Sequence, residues 1–320
     1  MCLKSLAGFI RSYRNSYSNP YLCKKHTCMK IAIYGQTIAP ENIAYLKSLF
    51  SWLNSHNVKA TIYKPYSDYL IKEFQLDSQY PLFSNDTDLE ADVDCMMSIG
   101  GDGTILNTML LVRDTSIPVI GLNTGRLGFL SSVPKENMEQ ALTQLLDRKY
   151  TLEPRVLLDV QAGDNVIDTE KLALNDATVF KKDTSSMISI HTWLNGEFFT
   201  TYWADGLIIS TPTGSTGYSL SCGGPIIMPT SQSFVITPIA PHNLNMRPVI
   251  VPDSTSIKLV VESRQDSNLI SLDSRSYTLK TGTEIHIKKA NFAVNLIKMP
   301  NISYIETLRN KLLWGLDKRN

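Results

Sequence analysis

The chain has 320 residues, 43% of them hydrophobic and 19% charged, with a formal net charge of +1. This length and balance suit a globular protein with one large core or two modest ones, and the near-neutral charge argues against a nucleic-acid or membrane-surface partner. No apolar run approaches the ~20 residues needed to span a bilayer, and five scattered cysteines read as reduced thiols of a cytoplasmic protein rather than a disulfide frame.

Residues 1–29 are basic and carry Lys4, Arg11, Arg14, Lys24 and Lys25, with no acidic residue before Glu41. We read them as a tail or a misplaced start, in preference to an organelle transit peptide. Cys23, His26 and Cys28 lack a second pair to close a zinc site. From residue 30 a strand ends at Gly35. Pro40 then opens a helix with Ile43, Leu46, Phe50 and Leu53 at helical spacing. A strand over 58–63, a short helix over 66–76 and a polar loop over 79–90 follow. The apolar run 93–99 predicts a third strand and 117–122 a fourth. Pro134 opens a helix striped by Met138, Ala141, Leu142, Leu145 and Leu146. Strands alternating with helices predict a parallel sheet in an α/β domain over residues 30–148.

Beyond residue 150 the helical stripes vanish. Short β-rich segments are predicted at 156–161, 173–180, 187–194, 197–202, 206–210, 234–238, 257–261, 269–272, 283–287 and 293–297. Asn195-Gly196 gives a hairpin signal. Residues 149–298 therefore read as a β-rich domain, and 299–320 as a C-terminal segment with a helix over 303–314.

The chemistry gathers in a few places. Gly100-Gly101-Asp102-Gly103-Thr104 joins the third strand to a helix. Glycines let backbone N–H groups approach a ligand, and a helix N-terminus favours an anion. Asp102 would repel a bare phosphate, so it makes sense facing a hydroxyl or a metal ion. A plain glycine turn fits the same residues. In the β-rich half, Asn175-Asp176, Asp205-Gly206 and the hydroxyl- and glycine-dense Ser210–Ser221 stand out; such a loop offers neutral N–H and O–H donors to a nucleotide. No P-loop, dinucleotide G-x-G-x-x-G or zinc-protease pattern is present. His242 reads as a loop histidine.

Taken together, Gly100–Thr104, Asn123-Thr-Gly-x-Leu-Gly-Phe129, Leu174-Asn-Asp-Ala177, Asp205–Ser219 and Thr237–His242 resemble the NAD kinase family in order and spacing, over residues 30 to 300. Gly100–Thr104 alone would also suit lipid kinases of the diacylglycerol type and phosphofructokinases; Asp205–Ser219 is the specific stretch. The resemblance implies a phosphofructokinase/diacylglycerol-kinase-like α/β N-terminal domain with a parallel sheet, joined to a β-rich C-terminal domain. It implies transfer of the γ-phosphoryl of ATP, with Mg²⁺ or another divalent metal, to the 2′-hydroxyl of the adenosine ribose of NAD. Asp102 would be the general base or orient that hydroxyl, with Gly101 and Gly103 close to the substrate. Asn175 and Thr216 would read the adenine, Phe129 would line its pocket, and Asp176 would bind ribose hydroxyls. Asp205 and Ala240 would meet the nicotinamide end. Thr213, Thr216, Gly217, Tyr218, Ser219, Leu220 and Ser221 would form the floor between the two halves. No protein metal ligand is assigned, and a homo-oligomer is implied.

Two positions depart from the family pattern: it has Glu where this chain has Asp176, and Ala where it has Gly217. Both read as changes in pocket reach. The alternatives are a lipid or sugar kinase sharing the glycine turn, or a non-catalytic dinucleotide sensor.

Overall fold

The computed structural model describes residues 29–89, 92–125, 128–130, 133–163, 167, 171–182, 187–300 and 302–314. The basic segment 1–28 lies outside them.

The N-terminal half alternates β1 (Lys30–Gly35), α1 (Ile43–Ser55), β2 (Lys59–Tyr63), α2 (Lys64–Phe74), β3 (Leu82–Phe83), β4 (Cys95–Ile99), α3 (Asp102–Val112), β5 (Val119–Asn123), β6 (Val133–Pro134) and α4 (Met138–Leu146). All pairs among these strands are parallel, in the order β3-β2-β1-β4-β5-β6. Central strands are covered on both faces, so β4 and β5 are buried at every residue. Side chains alternate between the faces. Ile31 and Ile33 meet Leu46, Leu49 and Leu53 of α1 and Met138, Leu142 and Leu145 of α4. Ala32 and Tyr34 share the other face with Ile105, Met109 and Val112 of α3. The buried residues of α4, Met138, Ala141, Leu142 and Leu145, follow the i, i+3, i+4, i+7 stripe of an amphipathic helix.

The second half contains β7 (Thr151–Ala162), β8 (Leu172–Ala173), β9 (Asp176–Phe180), β10 (Ile188–Leu194), β11 (Glu197–Ala204), β12 (Gly206–Ser210), the short α5 (Tyr218–Ser221), β13 (Ser233–Ile239), β14 (Val249–Pro252), β15 (Ile257–Glu262), β16 (Ser267–Leu272), β17 (Arg275–Lys280), β18 (Glu284–Lys298) and α6 (Tyr304–Leu312). A six-stranded sheet, β14-β13-β12-β9-β16-β17, is antiparallel throughout. Its inner face, with Val179, Ile209 and Ile236, packs on Val160, Ile190, Leu259 and Ile287 of β7, β10, β15 and β18. Two sheets packed face to face make a sandwich.

The expected segments 283–287 and 293–297 are one strand. β18 pairs with β15 and β7, shifts register between Lys289 and Ala293, and then reaches β5 at Leu296↔Val119. One continuous 12-stranded sheet therefore runs through both halves. The apolar cluster on the α3 face joins Ile105 and Leu130 to Leu157, Leu174 and Val294. The N-terminus of α3 thus sits where the halves meet. β3, β6, β14 and β17 lie beyond the expected strands, and 173–180 is interrupted after Ala173, leaving Leu174 and Asn175 between β8 and β9.

Candidate active site

Asp102 is the first residue of α3. Before it, Gly100 holds φ at +151°, a backbone conformation unfavourable to side chains, and a Cβ there would lie 2.2 Å from Thr104 Oγ1. Thr108 Oγ1 donates to Ser98 Oγ at 2.9 Å and ties α3 to β4 behind the turn. The Asp102 carboxylate is directed outward to the loop after β5. Its Oδ2 accepts the Phe129 N–H at 2.7 Å and its Oδ1 the Leu130 N–H at 3.0 Å. Gly128 makes this approach possible: a Cβ there would lie 1.7 Å from Asp102 Oδ1. Each carboxylate oxygen has a second lone pair, so the clamp orients the group and leaves it able to accept more. Gly101 and Gly103 are exposed, with open space where a Cβ would stand. The loop is braced by Asn123 Oδ1 accepting from Gly125 N–H at 2.7 Å and by Asn42 Nδ2 donating to the Thr124 carbonyl at 2.7 Å.

Asn175 and Asp176 enter from the other half. The carboxylate of Asp273, in the β16–β17 turn, accepts three backbone N–H groups, from Leu174 at 3.0 Å, Asn175 at 2.7 Å and Asp176 at 3.2 Å. The Asp273 N–H donates back to the Asp176 carbonyl at 2.9 Å. With its backbone so fixed, the Asn175 side chain keeps a buried Oδ1 that has no hydrogen-bond partner among the described residues. Such an acceptor costs free energy unless a donor meets it. Asp176 is buried and accepts from Thr178 Oγ1 at 2.8 Å. Burial raises its pKa to about 7, with the Asp273 charge adding to the shift and the Thr178 bond opposing it.

The Ser210–Ser221 loop lies against this pair. The Thr211 N–H donates to the Asn175 carbonyl at 2.9 Å and its hydroxyl to the Leu174 carbonyl at 2.5 Å. Ser215 Oγ accepts the Ile227 N–H at 3.0 Å, and Ser219 Oγ is 2.9 Å from Thr237 Oγ1. Thr211, Ser215 and Ser219 are fully buried, so these hydroxyls hold the loop in shape. Thr216, Gly217 and Leu220 are half-buried, while Tyr218 and Ser221 are exposed. Gly217 faces Asn175, with Nδ2 3.9 Å from where a Cβ would stand.

Asp205 and Ala240 also come together, since Gly206 and Ile239 are partners across β12 and β13. They sit at the opposite end of β12 from Ser210, which pairs with Asp176. Five residue steps put Asp205 roughly 17 Å from Ser210. Asp205 is ion-paired with Lys181 at 2.6 Å, and Ala240 holds φ at +43°. Phe129 is half-buried, with its ring 6.5 Å from that of Tyr304 on α6 and 5.8 Å from Lys311 Nζ.

Residues 31–150 match the ATP-NAD kinase N-terminal domain, and residues 174–299 match the ATP-NAD kinase C-terminal domain. The chain belongs to the NAD kinase family. An NAD kinase of Flavobacterium psychrophilum is 48% identical over 294 residues, covering 91% of this chain and all of the relative. One from Bacteroides fragilis is 41% identical over 291 residues, with 91% and 100% covered. Among solved structures, yeast NADH kinase complexed with NADH aligns with a TM-score of 0.80 at 22% identity, over 92% of this chain and 89% of the other. An Archaeoglobus fulgidus NAD kinase in complex with ATP aligns at 0.70 and 24% identity, over 89% and 99%. Both share the fold, and the expected fold class holds. As a member of this family the chain is a phosphotransferase.

Sequence reasoning passed over four residues that the structure brings to these groups: Gly128, Lys181, Asp273 and Arg155, whose Nη1 donates to Thr213 Oγ1 at 3.3 Å. Gly128 stood in a motif already singled out. Asp273 lies in a turn between two alternating segments, the signal of a hairpin. Arg155 and Lys181 carry no local signal.

Proposed function

We propose that this site transfers the γ-phosphoryl of ATP to the 2′-hydroxyl of the adenosine ribose of NAD, with NADP and ADP as products. The observation that carries the reading is Asp102, a carboxylate clamped by two backbone N–H groups between two bare glycines. In this reading Asp102 accepts the proton as the ribose oxygen bonds to phosphorus and the bond to the ADP oxygen breaks. Gly101 and Gly103 leave room for phosphates close to the backbone. The unpartnered Asn175 Oδ1 suits the exocyclic amine of adenine. Asp176 takes ribose hydroxyls. Thr213, Thr216, Gly217 and the residues through Ser221 form the floor, and Phe129 closes the adenine pocket. Asp205 and Ala240 meet the nicotinamide end.

Among the described residues, no group of three or more His, Cys, Asp or Glu is placed to hold a metal. A divalent cation fits this site if it is carried by the nucleotide phosphates, because Mg²⁺ keeps water and phosphate oxygens and needs few protein carboxylates. It would neutralise charge on the transferring group, with Asp102 as the adjacent carboxylate. Among the described residues, no helix is long and apolar enough to cross a membrane. The free thiols of Cys95 and Cys222 support a cytoplasmic setting. We further propose that the chain works as a homo-oligomer.

The test is direct. Purified protein with ATP, Mg²⁺ and NAD should form NADP, and diacylglycerol or fructose 6-phosphate in place of NAD should not be phosphorylated. Binding of NAD without ATP-dependent NADP formation would instead make the chain a dinucleotide sensor.

A further inference from the structure

Arg155 lies on β7, and nothing in the site as described requires it. Its side chain is 6% exposed. Nη1 donates to Thr213 Oγ1 at 3.3 Å, and Nη2 pairs with Glu153, whose other oxygen accepts from Lys298 Nζ at 3.3 Å. The buried Nε–H has no partner among the described residues. A buried ion pair is a poor stabilising device, because lost hydration offsets the attraction, and an unpaired donor adds to the cost. A well-packed apolar side chain would serve the core better. The placement of this guanidinium supplies a different reason for it. Thr213 leads directly into the Gly214–Thr216 turn beneath Asn175. Arg155 also lines a cavity with Gly128, Phe129 and Leu130, the segment that clamps Asp102.

We propose that Arg155 is a positioning residue for the reaction: its forked guanidinium fixes Thr213 against Glu153 and so sets the Thr213–Ser221 floor relative to the Asp102 clamp. This rests on the function proposed above. The fork is what matters, since it holds two acceptors at a fixed angle that a lysine ammonium does not reproduce. The substrate held by that floor is NAD, so NAD handling should change and ATP handling should not.

The test uses the full-length chain with Arg155→Met, Arg155→Lys, Thr213→Val and the Arg155→Met/Thr213→Val double variant. A role confined to folding would lower the active fraction, and hence kcat, with both KM values unchanged. The proposal expects KM for NAD to rise about tenfold in Arg155→Met and to be restored less than about threefold by Arg155→Lys, with KM for ATP within about twofold. The double variant should be no worse than Arg155→Met, because Arg155→Met already breaks the Thr213 contact that Thr213→Val removes. An NAD KM within about twofold of wild type in Arg155→Met, or effects that multiply in the double variant, would overturn it. If Arg155→Met does not fold, Arg155→Lys decides: an NAD KM within about twofold of wild type in that variant overturns the proposal. A wild-type protein that makes no NADP refutes the reaction instead. Arg155 is then judged on NAD affinity by calorimetry, where an unchanged Kd in the variants counts against it.

Discussion

The carboxylate of Asp273 accepts the backbone N–H of Asn175 at 2.7 Å across 98 residues of sequence. With the neighbouring N–H groups of Leu174 and Asp176 on the same carboxylate, one side chain from a hairpin turn fixes the backbone of the pair proposed to read adenine and ribose. Arg275, two residues on, donates to the Leu172 carbonyl and anchors the turn from the other side.

Asp273→Ala would leave these donors facing a void. An unmet buried donor costs about 1–3 kcal/mol, so the variant should lose on the order of 3 kcal/mol of stability in denaturant melts. Asp273→Asn keeps one acceptor oxygen and should melt between the two. Among molecules still folded, KM for NAD should rise about tenfold with KM for ATP little changed. Equal shifts in both KM values would show that Asp273 serves the fold in general and not this pair.

Asp102→Asn preserves shape and one acceptor oxygen. The variant should fold, bind NAD and lose turnover by about 10²–10⁴-fold, the usual worth of a positioned general base. Near-wild-type NADP formation would remove Asp102 from the proton-transfer step.

Gly128→Ala tests the clamp without touching the carboxylate. The new Cβ would fall 1.7 Å from Asp102 Oδ1, so the side chain or the loop has to move. Because small displacements of a reacting group are costly, turnover should drop about 10²-fold, while NAD affinity measured by calorimetry changes little. Wild-type turnover would mean that the position of Asp102 against Phe129 and Leu130 is not critical.

How far the sequence discloses these relationships depends on their range. The parallel half was legible because burial on both faces turns β4 and β5 into plain apolar runs, and because α4 shows its stripe at helical spacing. Strand β17, Arg275–Lys280, escaped because it lies at a sheet edge with one fully buried residue, Leu279, and so has no apolar pattern to read. β14 is a four-residue edge strand ending in Pro252. In the site, Asp102, Asn175 and Asp176 declared themselves through glycine-rich or polar breaks at strand ends. Asp273 and Arg155 act through contacts 98 and 58 residues away, and no local spacing encodes those. The hydroxyl-rich loop was legible as a unit. Which of its hydroxyls face inward, Ser215 and Ser219 among them, follows from the strands packed around it.

Asp176 should make both stability and binding depend on pH. Its folded-state pKa is raised from 3.8 to about 7. The folded protein therefore holds a proton that the unfolded chain has released between about pH 4 and pH 7. Stability from this group is fully present below pH 4 and is lost as pH rises through 7, at about 1.4 kcal/mol for each unit of pKa difference. Asp176→Asn should flatten that part of the stability–pH curve. Ribose hydroxyls donating to the carboxylate favour its charged form, so NAD affinity should increase from pH 6 to 8 in the wild type and stay level in the variant. A wild-type affinity independent of pH over that range would detach Asp176 from the ribose.

Gly214 and Gly217 are three residues apart and should respond differently to alanine. At Gly214 a Cβ would lie 2.1 Å from the Asn175 carbonyl oxygen, a backbone atom pinned by Thr211 and unable to yield. Gly214→Ala should push the floor away from Asn175 and raise KM for NAD at least tenfold, or prevent folding. At Gly217 the Cβ would meet the Gly214 carbonyl oxygen at 3.2 Å and Asn175 Nδ2 at 3.9 Å, contacts that a shift of a few tenths of an ångström relieves. Gly217→Ala, the residue expected there from the family pattern, should therefore change KM for NAD less than about threefold. A loss as large as that of Gly214→Ala would show that Gly217 is needed for the space it leaves beside Asn175, and that this chain's pocket differs from the family's at that point.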